Sequence, residues 1–256
     1  MRIPTAILTV VLFLAARPAA AAPPAPDSTD VASARDAREL IERVIDAYGG
    51  RAALERIKAY RAEGRIVAVR QGREGPTFRL FQRPDRLHVE LRYPGDPEVR
   101  IVSGIRGWRG TGKEMEEASG PMLEAMVLQA ARAAVPWILM ERVADARRGQ
   151  PRELRGRPLA GLEIPLATGL ILRVWIDPAT RRVEVSQGVL DHHGMQTEFE
   201  TVYGDFRKVN GVLFAFREEN YASGAHTGYT ALERVVLNPR LTLRDFAPPR
   251  VKGRDT

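Results

Sequence analysis

The fold prediction for this sequence depends most on the stretch PTFRLFQRPDRLHVELRY, Pro76–Tyr93. Its two halves, residues 77–82 and 87–93, both alternate apolar and polar side chains, which is the period of a β-strand. Pro84 presets φ for the second position of a tight turn between them, and Asp85 suits the third position. The stretch therefore predicts a β-hairpin, which we expect to form part of the wall of an apolar cavity.

The alternation assigns side chains to the two faces of this hairpin. Phe81 stands out as the one apolar side chain on the wet face. Arg83 ends the first strand, near the expected mouth of the cavity, where its donors can reach neighbouring carbonyl groups. The dry face, predicted to line the cavity, carries Phe78, Leu80, Leu87, Val89 and Leu91.

The N-terminus is typical of an exported protein. Two residues, Met1-Arg2, precede an apolar run and an Ala-rich segment, and we predict a signal peptide over residues 1–21. A Pro-rich linker over residues 22–29 and a single domain over residues 30–256 follow. The chain has no Cys, so the hydrophobic core has to supply its stability without disulfides.

The charge of the chain is basic but dispersed. The 256 residues include 35 Arg and only 4 Lys, and the net charge is +7. No long basic run occurs, which favours a solvated Arg-rich surface over nucleic-acid binding. Attraction to anionic lipid headgroups remains open.

Strand patterns dominate the rest of the chain. Helical spacing predicts a helix from Asp30 to Tyr48 and a short one over residues 51–58, which together would plug one side of a sheet. Ten strands are predicted, over residues 60–70, 77–82, 87–93, 99–109, 153–166, 170–176, 183–190, 196–206, 212–221 and 227–237. The short intervals indicate an antiparallel meander, and a sheet of this size has to curl. We predict a mainly β (α+β) fold, a strongly curved antiparallel sheet that forms an unclosed barrel.

A helical segment interrupts the meander over residues 121–147. It is rich in Met and breaks at Pro136. Met suits surfaces that repack around varied partners, so a movable lid and an ordinary core helix are both open interpretations. Further cavity and lid residues expected to bind a ligand are Trp108, Met122, Met126, Trp137, Met140, Phe199 and Phe214.

The search for catalytic motifs finds little. Residues 107–113 approach the phosphate-binding pattern GxxxxGK, but Glu114 stands where Ser or Thr would hold magnesium. His192 and His193 are adjacent and the other two His are scattered, so no metal site is predicted. We therefore predict a protein that is not an enzyme and needs no cofactor.

Short motifs spread along the chain resemble the LolA/LolB-type superfamily of lipoprotein carriers and receptors. Residues 83–87 are similar to its RP turn, residues 102–108 to its SDG…W strand, and residues 246–251 to its terminal F-x-P-P motif. Residues 177–180 and 203–212 look more like the broader outer-membrane lipoprotein-sorting proteins. Arg250 departs from the pattern, since the carriers have Gly there.

The resemblance implies a periplasmic carrier. It implies an unclosed barrel with a helical lid, a cavity that takes the acyl chain of a lipid or lipoprotein, and a monomer that meets an inner-membrane transporter or outer-membrane receptor. Arg83 matches the arginine that latches the lid of the carrier to backbone carbonyls. Two other classes stay open: a sensor that binds a peptide or lipopeptide and partners a membrane protein, and an enzyme acting on a lipid in the cavity. Ionisable side chains on the concave face would favour the enzyme.

Overall fold

The computed structural model describes residues 28–166, 169–192 and 194–248. The predicted signal peptide and residues 22–27 of the predicted linker lie outside these ranges. The first helix begins at Ser28, two residues before the predicted start of the domain.

Four α-helices and thirteen β-strands make up the described chain. The helices are α1 (Ser28–Ala47), α2 (Arg51–Arg56), α3 (Gly120–Ala133) and α4 (Trp137–Glu141). The strands are β1 (Ala59–Ala68), β2 (Arg73–Gln82), β3 (Arg86–Leu91), β4 (Glu98–Ser103), β5 (Arg106–Gly110), β6 (Met115–Ala118), β7 (Arg147–Leu154), β8 (Arg157–Pro165), β9 (Ile171–Ile176), β10 (Val183–His192), β11 (Met195–Val209), β12 (Val212–Ala222) and β13 (Ala225–Leu237).

The strands form one antiparallel sheet whose order is a ring broken at a single place. Strands adjacent in sequence pair with each other, except β6 and β7, which are the two edges, and β1 also pairs with β13. The helices α3 and α4 connect these edge strands, so the chain crosses the gap in helical form. The predicted fold class, a curved antiparallel sheet that does not close, is confirmed.

The sheet has three strands more than the ten predicted. Two predicted strands are hairpins, because left-handed turns at Gly104 and at Arg155-Gly156 divide them. Strand β6 lies between the predicted strand over residues 99–109 and the predicted helical segment over residues 121–147, and it pairs with β5.

Helix α1 plugs one side of the sheet, as predicted. Its buried side chains recur every three or four residues, at Ala37, Leu40, Ile41, Val44, Ile45 and Tyr48. The helix packs on β7 and on α4. Glycines at 49 and 50 end it with positive φ, as the sequence indicates.

Helix α3 packs closely against the concave face of the sheet. Leu128 is fully buried and lies over Gly188 of β10, where a Cβ atom would come within 2.6 Å of it. Gly107 of β5 similarly leaves space for Leu123 and Met126. In this structure the inserted segment is therefore a core element that bridges β5 and β10.

The register of β2 and β3 corrects the predicted faces of the hairpin. Phe81 lies opposite Leu87, so these two share the concave face. Phe78 and Leu80 point to the convex face, where Trp108 also lies, and the predicted dry face of β2 is wrong. These convex side chains are still shielded from solvent because Phe246, in the 3₁₀ segment Leu243–Phe246, packs on them.

Candidate functional site

The interior of the sheet is filled at one end and hollow at the other. The hollow end is a cavity of about 1010 Å³ between the concave face and α3. Its apolar lining includes Ile66, Val89, Leu91 and Phe199. Ligand sites in proteins typically have volumes of about 300–1,000 Å³, so the cavity is large enough for a sizeable organic molecule.

An aromatic cluster fills the other end. The Trp137 ring stacks on Tyr60 and Phe81 at centroid distances of 5.9 and 6.2 Å, and Phe214 lies 5.8 Å away. The indole Nε1 of Trp137 donates to the carbonyl of Leu54 at 3.0 Å. The aromatic cluster is thus a packed core that connects α4 to α2 and to the sheet.

Charged side chains line much of the hollow end, which corrects the expectation of a wholly apolar cavity. Arg79 donates two hydrogen bonds to Glu218, at 2.8 and 2.7 Å, and both side chains are more than four-fifths buried. Burial alone would lower the pKa of Arg79, but the Glu218 carboxylate raises it above its usual value. Arg79 thus stays protonated within the sheet.

A second charged group lies on β4 and β5. Both Arg100 and Arg109 donate to Oε1 of Glu98, at 2.9 and 2.7 Å. Burial raises the pKa of Glu98, but these hydrogen bonds outweigh it and the pKa lies below its usual value. Arg100 also donates to the side chain of Gln129 on α3, at 3.3 Å.

The last turn of α3 is fixed to the sheet by two tyrosines. Tyr60 donates its hydroxyl to the carbonyl of Ala133 at 2.9 Å, and Tyr203 lies 3.4 Å from the carbonyl of Arg132. The hydroxyl of Tyr203 is also 2.8 Å from that of Ser186, and burial raises the tyrosine's pKa. The bond from Tyr60 satisfies a carbonyl group that the end of a helix leaves without an intrahelical partner.

Arg83 links the hairpin turn to the plug and to the inserted helices. Its Nε donates to Glu141, the last residue of α4, at 2.6 Å. Its Nη1 lies 3.2 Å from the carbonyl of Ile57 and 3.5 Å from that of Leu54. The carbonyl contacts that the resemblance implies thus exist, but they belong to the plug, and the contact to the inserted helices goes through a carboxylate.

The sequence-predicted ligand residues divide into four groups. Lining the cavity are Val89, Leu91 and Phe199. Packed in the main core are Leu87, Met126, Trp137, Met140 and Phe214. On the convex face are Phe78, Leu80 and Trp108. Met122 is 42% exposed and lies beside Arg109 on the outer part of α3.

Sequence reasoning missed the charged lining. Arg79 lies two residues before Phe81, so both side chains point to the same face of β2. The alternation in the sequence predicts that this face points outward, and it therefore does not place Arg79 in the cavity. Arg132 is the one charged residue over residues 125–140, and this was the available signal for a functional side chain on α3.

The described ranges contain no cluster of three or more His, Cys, Asp or Glu side chains suited to a metal ion. Nor does any helix within those ranges have both the length and the apolar character needed to cross a membrane.

Solved structures of low sequence identity share this fold. A LolA superfamily protein from Nitrosomonas europaea matches with a TM-score of 0.56 and 12% identity, over 82% of this chain and 97% of that chain. A domain from Vibrio parahaemolyticus, described as an outer membrane lipoprotein-sorting protein, matches with a TM-score of 0.52 and 14% identity, over 83% and 97%. A DUF1329 family protein from Desulfovibrio piger gives 0.51 and 11%, over 84% and 97%. No protein-family model and no curated protein matches the sequence.

These matches define the class of the molecule: it has the fold of the LolA superfamily. The resemblance that the short motifs indicate is confirmed at the level of the fold. In this chain the fold is built from thirteen strands and encloses a cavity with a charged lining.

Proposed function

We propose that the protein is a periplasmic binding or carrier protein, which holds an acyl chain of a lipid or lipoprotein in the hollow end of the sheet. The observation that carries the proposal is the cavity of about 1010 Å³ beneath α3. A sheet of this size could have been filled with side chains throughout, as its aromatic end is. Trafficking towards the outer membrane, with donor and acceptor proteins in the two membranes and a monomeric carrier, extends the same proposal.

The apolar lining supplies the affinity that an acyl chain needs. Each CH₂ group moved from water to an apolar site gains about 0.8 kcal/mol. Ten such groups packed against side chains such as Ile66, Val89, Leu91 and Phe199 would gain about 8 kcal/mol, before the entropic cost of ordering the chain. This is enough for binding, and the polar part of the lining leaves a place for a headgroup.

The ionisable side chains on the concave face favour a second candidate, an enzyme acting on a bound lipid. The arrangement of the carboxylates argues for binding instead. Glu218 accepts two hydrogen bonds from Arg79, and Glu98 accepts from two arginines. A general base works best with a pKa near the working pH, whereas the arginines hold the pKa of Glu98 below its usual value, and Arg79 occupies both oxygens of Glu218.

The test is to obstruct the cavity without disturbing the aromatic core. Ala68 lies at the end of β1 and lines the cavity, so the ring of an Ala68→Trp variant would occupy space that the ligand needs. We expect the affinity of the delipidated protein for cis-parinaric acid, a fluorescent fatty acid, to fall at least about tenfold. Ala222→Trp, at another lining position on β12, should act in the same way.

The matched control is Ile105→Trp, since Ile105 is 72% exposed in the turn between β4 and β5. It should bind the probe like the wild type. Equal binding by the wild type and both cavity variants, all folded by circular dichroism, would contradict the proposal. Chemical conversion of the bound lipid in the wild type would favour the enzyme, and a co-purified protein without any lipid would favour a sensor.

A further inference from the structure

Arg132 is a half-buried cation without a full set of partners. It lies in the last turn of α3 and lines both the large cavity and a smaller space of about 40 Å³ next to the aromatic cluster. Its Nη1 is shielded from solvent and has no hydrogen-bond partner among the described residues. A guanidinium N–H group that is removed from water without an acceptor is strongly unfavourable, so such groups call for an explanation.

The charged groups around Arg132 do not neutralise its positive charge. The charged or ionisable groups that face it are Arg79 on β2, Arg100 on β4, Tyr203 on β11 and Glu218 on β12. Glu218 is already bound at both oxygens by Arg79, and Arg100 is bound to Glu98. With Arg109, which shares Glu98 with Arg100, four guanidinium groups thus meet two carboxylates, and Arg132 is the one among them that neither carboxylate binds.

Burial lowers the pKa of Arg132, as expected for a cation taken out of water. An arginine nevertheless stays protonated near neutral pH. The group that would remove the penalty is therefore an anion from outside the protein, and the cavity is open to receive one.

We propose that Arg132, with Arg79 and Arg100 beside it, forms a binding subsite for the anionic headgroup of an amphiphile whose tail lies along the apolar wall of the cavity. The headgroup would be a carboxylate or a phosphate, since both present oxygen pairs to a guanidinium. The apolar wall, with Ile66 and Leu91, takes the tail in the same cavity. This inference rests on the proposed function and specifies its ligand class.

The test uses three ligands with the same tail: dodecanoic acid, dodecyl phosphate and dodecanol. Their affinities for the delipidated full domain are measured by native mass spectrometry, with inorganic phosphate as the headgroup alone. We expect the wild type to bind at least one of the two anions about tenfold or more tightly than dodecanol. Comparing dodecanoic acid with dodecyl phosphate identifies the headgroup.

Arg132→Met retains the length of the side chain without its charge. We expect it to lose the preference for anions while its affinity for dodecanol stays the same or rises. Arg132→Lys, which keeps the charge but not the forked geometry, should keep part of the preference. The matched control is Arg38→Met, at an exposed position on α1, which should leave all affinities unchanged.

The outcomes separate this inference from the proposed function. Equal affinity of the wild type for the anions and dodecanol would overturn the inference and leave the binding role intact, and this comparison does not depend on any variant folding. An unchanged preference in folded Arg132→Met would also overturn it. Binding of inorganic phosphate as tightly as dodecyl phosphate would overturn the inference that the ligand is an amphiphile. Failure of all three tailed ligands to bind would contradict the proposed function itself.

Discussion

The contact between Arg83 and Glu141 offers the sharpest test of how the inserted helices are held. The two side chains are joined at 2.6 Å and are only 16% and 26% exposed. Replacing Arg83 by Leu removes this bond and the contacts of the guanidinium with the carbonyls of Leu54 and Ile57. The end of α4 and the plug helix α2 then lose their shared partner.

The magnitude follows from the geometry. A hydrogen bond to a charged group contributes about 1.5–3 kcal/mol, and the two longer carbonyl contacts add less. We expect Arg83→Leu to lower the free energy of unfolding by about 2–4 kcal/mol. In a double-mutant cycle with Glu141→Leu, the coupling energy should be about 1.5–3 kcal/mol. For a domain of this size, 1 kcal/mol corresponds to about 2–4 °C in Tm.

Urea unfolding of the four proteins in the cycle measures the coupling. The control cycle uses Arg207 and Asp205, which form an ion pair of the same length, 2.6 Å, with side chains 54% and 48% exposed. This exposed pair should couple clearly more weakly, because solvent screens it. Equal coupling in the two cycles would refute the argument that burial makes the Arg83 contact strong.

The same variant tests whether the contact of Arg83 with Glu141 controls how fast the ligand is released. Arg83→Leu should remain folded and release cis-parinaric acid faster than the wild type. Unchanged retention and transfer, despite the lower stability, would show that Arg83 is a structural clamp and not a latch.

Three further results are expected. Gly188→Ala should destabilise the protein by about 1–3 kcal/mol in urea unfolding, because its Cβ would meet the buried side chain of Leu128 at 2.6 Å. Adding Leu128→Val should restore part of the lost stability. An unchanged stability of Gly188→Ala would show that α3 shifts away from the sheet without cost. Glu218→Leu should cost about 3–5 kcal/mol by leaving Arg79 buried and unpaired, and replacing both residues by Leu should cost clearly less; additive losses would contradict the pairing. The imidazole of His88, 3.4 Å away, and a hydrogen bond from Arg92 at 2.9 Å lower the pKa of Glu90 from 4.5 to about 2. Its contribution to stability is therefore present above pH 4.5 and is lost as the pH falls towards 2. Glu90→Gln should flatten the pH dependence of Tm over that interval, and an unchanged slope would refute the assignment.

The curvature and order of the sheet follow from signals that are local in sequence. Short intervals between strands leave no space for crossover helices, so each strand has to pair with its neighbours. Glycines at 49 and 50 end α1, and Pro136 separates α3 from α4, where the sequence indicates. Such features could be predicted because a turn or a helix end depends on only a few adjacent residues.

The face of a strand is harder to predict when both faces are covered. Phe78 and Leu80 form the larger apolar set of β2, yet they face outward, because the 3₁₀ segment with Phe246 lies over them. That segment is more than 150 residues away in the chain, and alternation within a strand contains no information about it. Arg79 faces inward for the same reason, and its partner Glu218 is also far away in sequence, at a separation of 139 residues.

The two interpretations of the inserted segment could not be separated from sequence. Met, Leu and Ala at helical spacing suit both a lid and a core helix. Which interpretation holds depends on Gly107 and Gly188, which lie on distant strands and allow α3 to approach the sheet. The structure shows a packed helix over a cavity, and whether it moves during binding stays a prediction.

Native mass spectrometry of the protein isolated from the cells that naturally produce it tests the central claim most directly. The account predicts a non-covalent lipid or acylated peptide bound at one copy per chain, which disappears from a folded Ala68→Trp variant and persists in Ile105→Trp. A mass equal to that of the chain alone, with no uptake when lipid extract is added, would contradict it.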